Sequence, residues 1–225
     1  MNRPVSPRNS LTERAYTEIR RRILENEMPA GTQVLEQELA EMLEMSRTPV
    51  REAMVRLADE GMVEVRPRHG MRVLPISADD MREIYDVLTA LESMAAERVA
   101  ARGVSPEELR ALRQAVVDMD AALAADDLRT WAAADERFHL LLVEYCDNER
   151  LRALVSGYWD QSHRVRLVTL GLRPKPVDSN KDHAAVVDAI ARGDAVAARR
   201  LHRQHRVRSG ETLVNLLKTH GLTQL

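Results

Sequence analysis

Residues 36–61 read Glu36-Gln-Glu-Leu-Ala-Glu-Met-Leu43, Glu44-Met45, Ser46-Arg-Thr-Pro-Val-Arg-Glu-Ala53 and Met54-Val-Arg-Leu-Ala-Asp-Glu-Gly61. Leu39, Ala40 and Leu43 recur at helical spacing, which predicts a short helix over 36–43. Glu44-Met45-Ser46 interrupts it. Ser46 is a good N-cap, and Pro49 falls in the first turn, where its missing N–H costs least. Val50, Ala53, Met54 and Leu57 give the following helix its buried face, and Gly61 stops it. Two helices across a tight turn are the centre of a helix-turn-helix.

The flanks extend this reading. On the N-terminal side Ser10-Leu-Thr-Glu13 has the form of a capping box, and Leu11, Ala15, Ile19 and Ile23 then recur every four residues. Pro29-Ala-Gly31 breaks that helix. On the C-terminal side Val63 and Val65 alternate with polar residues, Arg66-Pro-Arg-His-Gly70 reads as a hairpin tip, and Met71–Val73 supply the returning strand. The expected unit is a winged helix-turn-helix over residues 10–75, preceded by a flexible tail at 1–9. Its third helix turns Arg47, Thr48 and Arg51 outward near the N-terminus, the end that meets base edges and phosphates in a major groove. Arginine can fork onto guanine, and threonine can reach a phosphate or a thymine methyl. Arg66, Arg68, His69 and Arg72 decorate the hairpin. A solvated arginine face is the blander reading; the order of elements favours double-stranded DNA.

Charge gives no support to that partner. The net charge of the 225-residue chain is −2, and over residues 1–76 twelve arginines balance twelve carboxylates. The case rests on where the arginines sit. At 3% aromatic content, stacking of single-stranded nucleic acid is disfavoured. The sequence has no uncharged apolar run of about 18 residues, so no membrane span is expected. Residues 1–10 hold two arginines and no apolar run, so no secretory signal is expected and the cytoplasm is the expected location. Cys146 is the single cysteine, which agrees with a reducing compartment.

From Ser77 onward the pattern is wholly helical. Runs are expected at about 78–101, 106–125, 127–146, 148–170, 180–192 and 194–218, with apolar spacing of three and four residues throughout. They form an antiparallel bundle over 76–225, so the chain as a whole is mainly α. Inside the bundle Leu128, Trp131, Ala132, Asp135, His139 and Leu142 share one stripe. His183 shares another with Val186, Val187 and Ile190, and His205 aligns with Ala198 and Leu201. One inward histidine is ordinarily a satisfied core residue. Three with an aspartate suit a divalent transition metal: zinc foremost, with nickel, iron or manganese as alternatives. Asp135 and His139 stand at i, i+4, the spacing that lets one helix give two ligands. Asp182 is a candidate to orient a ring nitrogen. His163 and His202 are expected to lie outside the ligand set.

Leu35–Leu43, Ser46–Ala53 and Leu57-Ala-Asp-Glu-Gly61 resemble the GntR family of bacterial regulators, the Ser-Arg-Thr-Pro-Val-Arg-Glu-Ala string most specifically. The resemblance implies that Arg47, Thr48 and Arg51 contact an operator, with Ser46, Gln37 and Arg68 beside them and His69 and Gly70 at the wing tip. Glu44 stands where the family often has glycine, and Gln37 where it often has arginine. Asp135-Glu-Arg-Phe-His139, Asp182-His183 and Gly193-Asp194 followed by His205 resemble the FCD effector domain of the FadR-type branch. In metal-binding members those positions ligate the ion, which implies Asp135, His139, His183 and His205 here. Many such domains carry an arginine on the first bundle helix for an acidic effector. This chain has Leu88 there, which weakens the expectation of an organic acid and leaves Gln161 and Arg164 as candidate effector contacts, with Arg166 read as a solvated basic residue.

The function expected from all this is a homodimeric, sequence-specific repressor. Its affinity for a palindromic operator would be set by a small molecule in a metal-containing cavity. Two rivals remain at this level. One is a metal-dependent hydrolase or lyase using the same Asp/His set, against which stand the missing general base, phosphate loop and nucleophile elbow. The other is a direct sensor of the metal ion.

Overall fold

The computed structural model describes residues 7–222, with side chains from Leu11 onward. The N-terminal part runs α1 (Pro7–Leu24), β1 (Gln33–Val34), α2 (Glu36–Met42), α3 (Arg47–Asp59), β2 (Val63–Arg66) and β3 (Gly70–Val73). Helix α1 begins at Pro7, so Ser10 lies inside the helix and does not cap it. Of the expected tail, residues 1–6 lie outside the described residues, and Pro7–Asn9 are helical. Ser46 takes the N-cap position of α3 with extended backbone, although its hydroxyl makes no capping hydrogen bond. Glu44 holds the turn in the left-handed region at φ +52°. The turn that glycine usually makes is thus kept, at some backbone cost.

The three strands form an antiparallel sheet in the order β1-β3-β2, with Val65 opposite Met71 and Gln33 opposite Arg72. Strand β1 is too short to show as an alternating pattern and is absent from the sequence reading. At the hairpin tip Arg68 has φ +65° and Gly70 φ +73°. A Cβ on Gly70 would fall 2.0 Å from the Val34 carbonyl oxygen, so this position requires glycine for space as well as for backbone angle. Ile19, Ile23, Leu39, Val50, Leu57, Met71 and Val73 build one core.

The second part contains α4 (Ala78–Arg102), α5 (Pro106–Ala124), α6 (Leu128–Tyr145), α7 (Glu149–Val168), a 3-10 turn (Leu170–Leu172), α8 (Val177–Ala191) and α9 (Ala195–Thr219). The boundaries follow from capping chemistry. Ser77, Ser105, Asp127, Asn148 and Asp194 each accept a backbone N–H of the first turn of α4, α5, α6, α7 and α9. Helices α4 and α9 pack along each other, and α5, α6 and α8 close the bundle around a separate core that includes Leu88, Leu112, Phe138, Val186 and Leu213. Helix α7 joins the two parts. Asp160 pairs with Arg20 of α1, the Gln161 amide donates to the Glu60 carbonyl at 2.9 Å, and Arg164 donates to the Leu74 carbonyl at 2.8 Å.

Candidate functional site

Four elements bring acid and imidazole together inside the bundle. Helix α6 carries Asp135 and His139 one turn apart, α8 carries His183, α9 carries His202 and His205, and α4 carries Glu92. All six are buried. Ligating atoms of His139, His183 and His205 lie within 4.8 Å of one another. Asp135 is 3.9 Å from His139 Nε2 and 3.7 Å from His183 Nε2. Both nitrogens of His183 and Nε2 of His139 have no hydrogen-bond partner. Buried polar atoms are rarely left unpaired, and partnerless imidazole nitrogens within one cluster mark a place where a ligand belongs.

The surrounding groups fix the rings. His139 Nδ1 meets Glu92 Oε2 at 2.7 Å, which leaves Nε2 directed at the other histidines. His205 Nδ1 meets Asp182 Oδ2 at 3.3 Å, the orienting contact the sequence suggested. A carboxylate behind a ligating imidazole sets its tautomer and raises its basicity. Burial holds the pKa of His183 and His205 well below the ordinary histidine range, with the neighbouring imidazoles adding to it. These rings are therefore neutral, the form that binds metal. Burial pushes the Asp135 carboxyl upward, but the charge of the Arg166 guanidinium outweighs it and holds the carboxyl well below the usual carboxylate range. The donor set of one carboxylate and three imidazoles fits a divalent transition metal.

Several residues sit elsewhere than the sequence placed them. Arg166 is buried in an ion pair with Asp135 and is not a solvated basic residue. Gln161 and Arg164 face the N-terminal part, not the bundle interior. Residues two apart on a helix project roughly 200° apart, so Arg164 and Arg166 serve opposite sides of α7, and both sides are covered. His202, expected to be a bystander, is buried with Nε2 3.1 Å from Glu92 Oε2 and belongs to a second cluster with Glu92 and His139. His163 lies apart, 3.6 Å from Glu136. Glu92 was missed. Its signal was available, since Leu88, Glu92, Ala95 and Ala96 follow helical spacing on a buried stripe.

The other candidate surface is the exposed start of α3. Arg47, Thr48 and Arg51 are all exposed there. Arg47 Nε and Arg51 Nε each donate at 2.7 Å to Glu36 of α2, one to each carboxylate oxygen. Glu36 thus draws two flexible cations onto one face. Gln37 is exposed beside them and donates to Glu41. Ser46, Arg68 and His69 are exposed, the last two at the hairpin tip. Among the described residues, no helix is long and apolar enough to cross a membrane.

Comparison with known proteins places these features. Residues 11–73 match the bacterial regulatory proteins of the gntR family, and residues 83–208 match the FCD domain. An HTH-type transcriptional regulator of Agrobacterium vitis, from the TAR-I ttuE-ttuC' intergenic region, is 48% identical over 131 residues, 57% of this chain and 77% of that protein. A probable D-xylose utilization operon transcriptional repressor of Paenarthrobacter nicotinovorans is 31% identical over 177 residues, 76% of this chain and 75% of that protein. Among solved structures, McbR/YncC of E. coli superimposes with a TM-score of 0.78 at 20% identity, over 94% of this chain and 98% of that one.

Proposed function

The chain belongs to the GntR family of bacterial regulatory proteins and carries an FCD domain, and from that premise we propose that it is a repressor whose hold on its operator is set by a metal-assisted small molecule in the bundle. It is a transcriptional regulator and not an enzyme, which removes the hydrolase and lyase reading. The observation that carries the sensing half is the set of buried imidazole nitrogens without partners, both of His183 and Nε2 of His139. His139, His183 and His205 would hold the ion, with Asp135 as fourth ligand once it gives up part of its pairing with Arg166. A divalent metal held by these residues would supply Lewis acidity toward an oxygen of the effector.

The chain's own residues do the rest. Glu92 and Asp182 hold the rings in register, and Arg47, Thr48 and Arg51 read the operator. Two copies in a homodimer present two recognition helices to successive major grooves of a palindromic site. An effector acts only through its different affinity for the DNA-competent and incompetent arrangements, and release from DNA then relieves repression. The experiment joins metal analysis to operator binding, with DNA selected from a random pool by the purified protein. His183→Ala is expected to lose the metal and the metal response while still binding DNA. Arg47→Ala is expected to keep the metal and bind the selected DNA about 5- to 150-fold more weakly. Metal-free protein that takes up no added zinc overturns the sensing half; full operator affinity in Arg47→Ala overturns the reading half.

A further inference from the structure

Glu36 opens α2 and lies between two arginines that α3 turns outward one helical turn apart. Arg47 Nε donates to its Oε1 at 2.7 Å. Arg51 donates to Oε2 through Nε at 2.7 Å and to Oε1 through Nη2 at 3.2 Å. The Glu36 side chain is 14% exposed, against 61% and 63% for the arginines, so the acid is the fixed member and the cations fold onto it. The Arg51 hydrogen bond, with Arg47 adding to it, outweighs burial and holds the Glu36 carboxyl below the usual carboxylate range. Ion pairs with partners this exposed add little to stability, so the arrangement calls for a reason other than folding. Helix α2 and the turn after it carry Glu36, Glu38, Glu41 and Glu44 and no lysine or arginine. In a helix-turn-helix this is the helix that crosses the phosphate backbone. Glu38 accepts from the Leu35 N–H at 2.8 Å and Glu41 from the Gln37 amide at 2.9 Å, which leaves Glu36 as the acid of α2 that meets the arginines. Acids at this place oppose loose attraction to any duplex. The balance of twelve arginines and twelve carboxylates over residues 1–76 acts in the same direction.

We propose that Glu36 sets the discrimination between operator and indifferent DNA, by holding Arg47 and Arg51 off phosphates while leaving them free for bases. Both guanidinium groups give Glu36 their Nε side, and Nη1 of each and Nη2 of Arg47 take no part in the pairing. A guanine edge can accept from that outer end while the pairing stays intact. A phosphate brought to either arginine meets the full negative charge of Glu36 at close range, and the side-on fork through Nε is already taken. Base edges carry no net charge, so the penalty falls on the backbone contact. Glu36 is a positioning residue in this scheme: it acts through the two arginines. The inference deepens the proposed operator reading and rests on it for Arg47 and Arg51 as base contacts.

The test measures the full-length protein on two duplexes over a salt series: one selected by the parent from a random pool, and a scrambled one of equal length and composition. Glu36→Gln keeps the shape and removes the charge. It is expected to bind the scrambled duplex about 5- to 10-fold more tightly, with a salt slope steeper by about 1–2, one phosphate for each released arginine. On the selected duplex the gain is expected to be smaller, because the arginines lose their clamp, so the ratio of the two affinities falls at least about threefold. Glu36→Ala is measured beside it and is expected to behave alike, whereas Glu36→Asp, which keeps the charge, is expected to stay near the parent on scrambled DNA. A folding defect weakens binding to both duplexes and cannot produce the expected gain. The proposal is overturned if neither charge-removing variant binds scrambled DNA more tightly than the parent, if the variant that does so keeps the parent's ratio, or if Glu36→Asp gains as much as Glu36→Gln. Arg47→Ala on the same duplexes separates the two claims. Full affinity for the selected duplex there overturns the recognition-helix reading and this proposal with it; a loss there beside an unchanged ratio in Glu36→Gln overturns the role of Glu36 alone.

Discussion

Arg166 of α7 donates to the carboxylate of Asp135 on α6, and both side chains are out of solvent. Removing one partner of such a pair leaves an uncompensated buried charge, at a cost of about 3–5 kcal/mol. For a chain of this size each kcal/mol moves the melting temperature by about 2–4 °C. Arg166→Leu in chelator-treated protein should therefore melt about 6–20 °C below the parent. Added zinc should recover most of the loss, because a cation on Asp135 replaces the missing charge. Melting curves with and without zinc decide it. An equal deficit in both would show that Asp135 has no part in holding the ion.

The Tyr16 hydroxyl donates to Glu60 at 2.9 and 3.1 Å, and the Arg56 guanidinium lies 3.5 Å over its ring. Burial, with Glu60 next, pushes the Tyr16 pKa up to about 12. A folded-state value above the unfolded value of about 10 means the folded chain keeps the proton longer. The stability this contributes is complete below pH 10 and is lost as pH rises toward 12. Relative to Tyr16→Phe, the parent should be more stable by about 1–2 kcal/mol at pH 8, and the gap should close between pH 10 and 12. Urea unfolding of both proteins across that range measures it; a gap that widens with pH contradicts the assignment.

Where one face of an element was buried, the sequence was legible. The stripe Val50, Ala53, Met54 and Leu57 left Arg47 and Arg51 outward, and that is where they stand. Asp135, His139, His183 and His205 could be read inward because each shares a stripe with apolar neighbours. Helix α7 was not legible in the same way. Val155, Trp159, Ser162 and Arg166 line one buried side and Asp160 and Arg164 another, so periodicity could not say which polar group faced which partner. Strand β1 failed for a different reason: two residues carry no period. The pairing of Arg206 with Glu92 was out of reach, because only packing brings these two buried charges together.

At the wing, two glycines separate backbone strain from collision. Gly31 has φ +83° with open space around a would-be Cβ, whereas Gly70 has φ +73° and the Val34 carbonyl oxygen in the way. Gly31→Ala should cost about 1 kcal/mol, from the left-handed backbone alone. Gly70→Ala should cost at least about 2–4 kcal/mol and should also weaken operator binding, since the hairpin must shift off β1. Thermal unfolding combined with DNA binding distinguishes them. Equal effects from the two substitutions would mean that the hairpin has room to move.

Helix α7 reaches the candidate metal centre through Arg166 and the DNA-reading part through Asp160, Gln161 and Arg164. A change in the Arg166–Asp135 pairing therefore has a rigid element through which to act on the recognition helix. Asp160→Asn removes the charge that holds Arg20 of α1 and leaves every residue of the imidazole cluster in place. Zinc content should be unchanged. The ratio of operator affinities measured with and without zinc should shrink toward one; coupling of this kind ordinarily amounts to about 5- to 150-fold. Operator titrations of parent and variant at matched salt supply the ratio. A variant that keeps the parent's full zinc response would show that the signal travels by another contact, most directly the Arg164 bond to Leu74 at the start of the connection into α4.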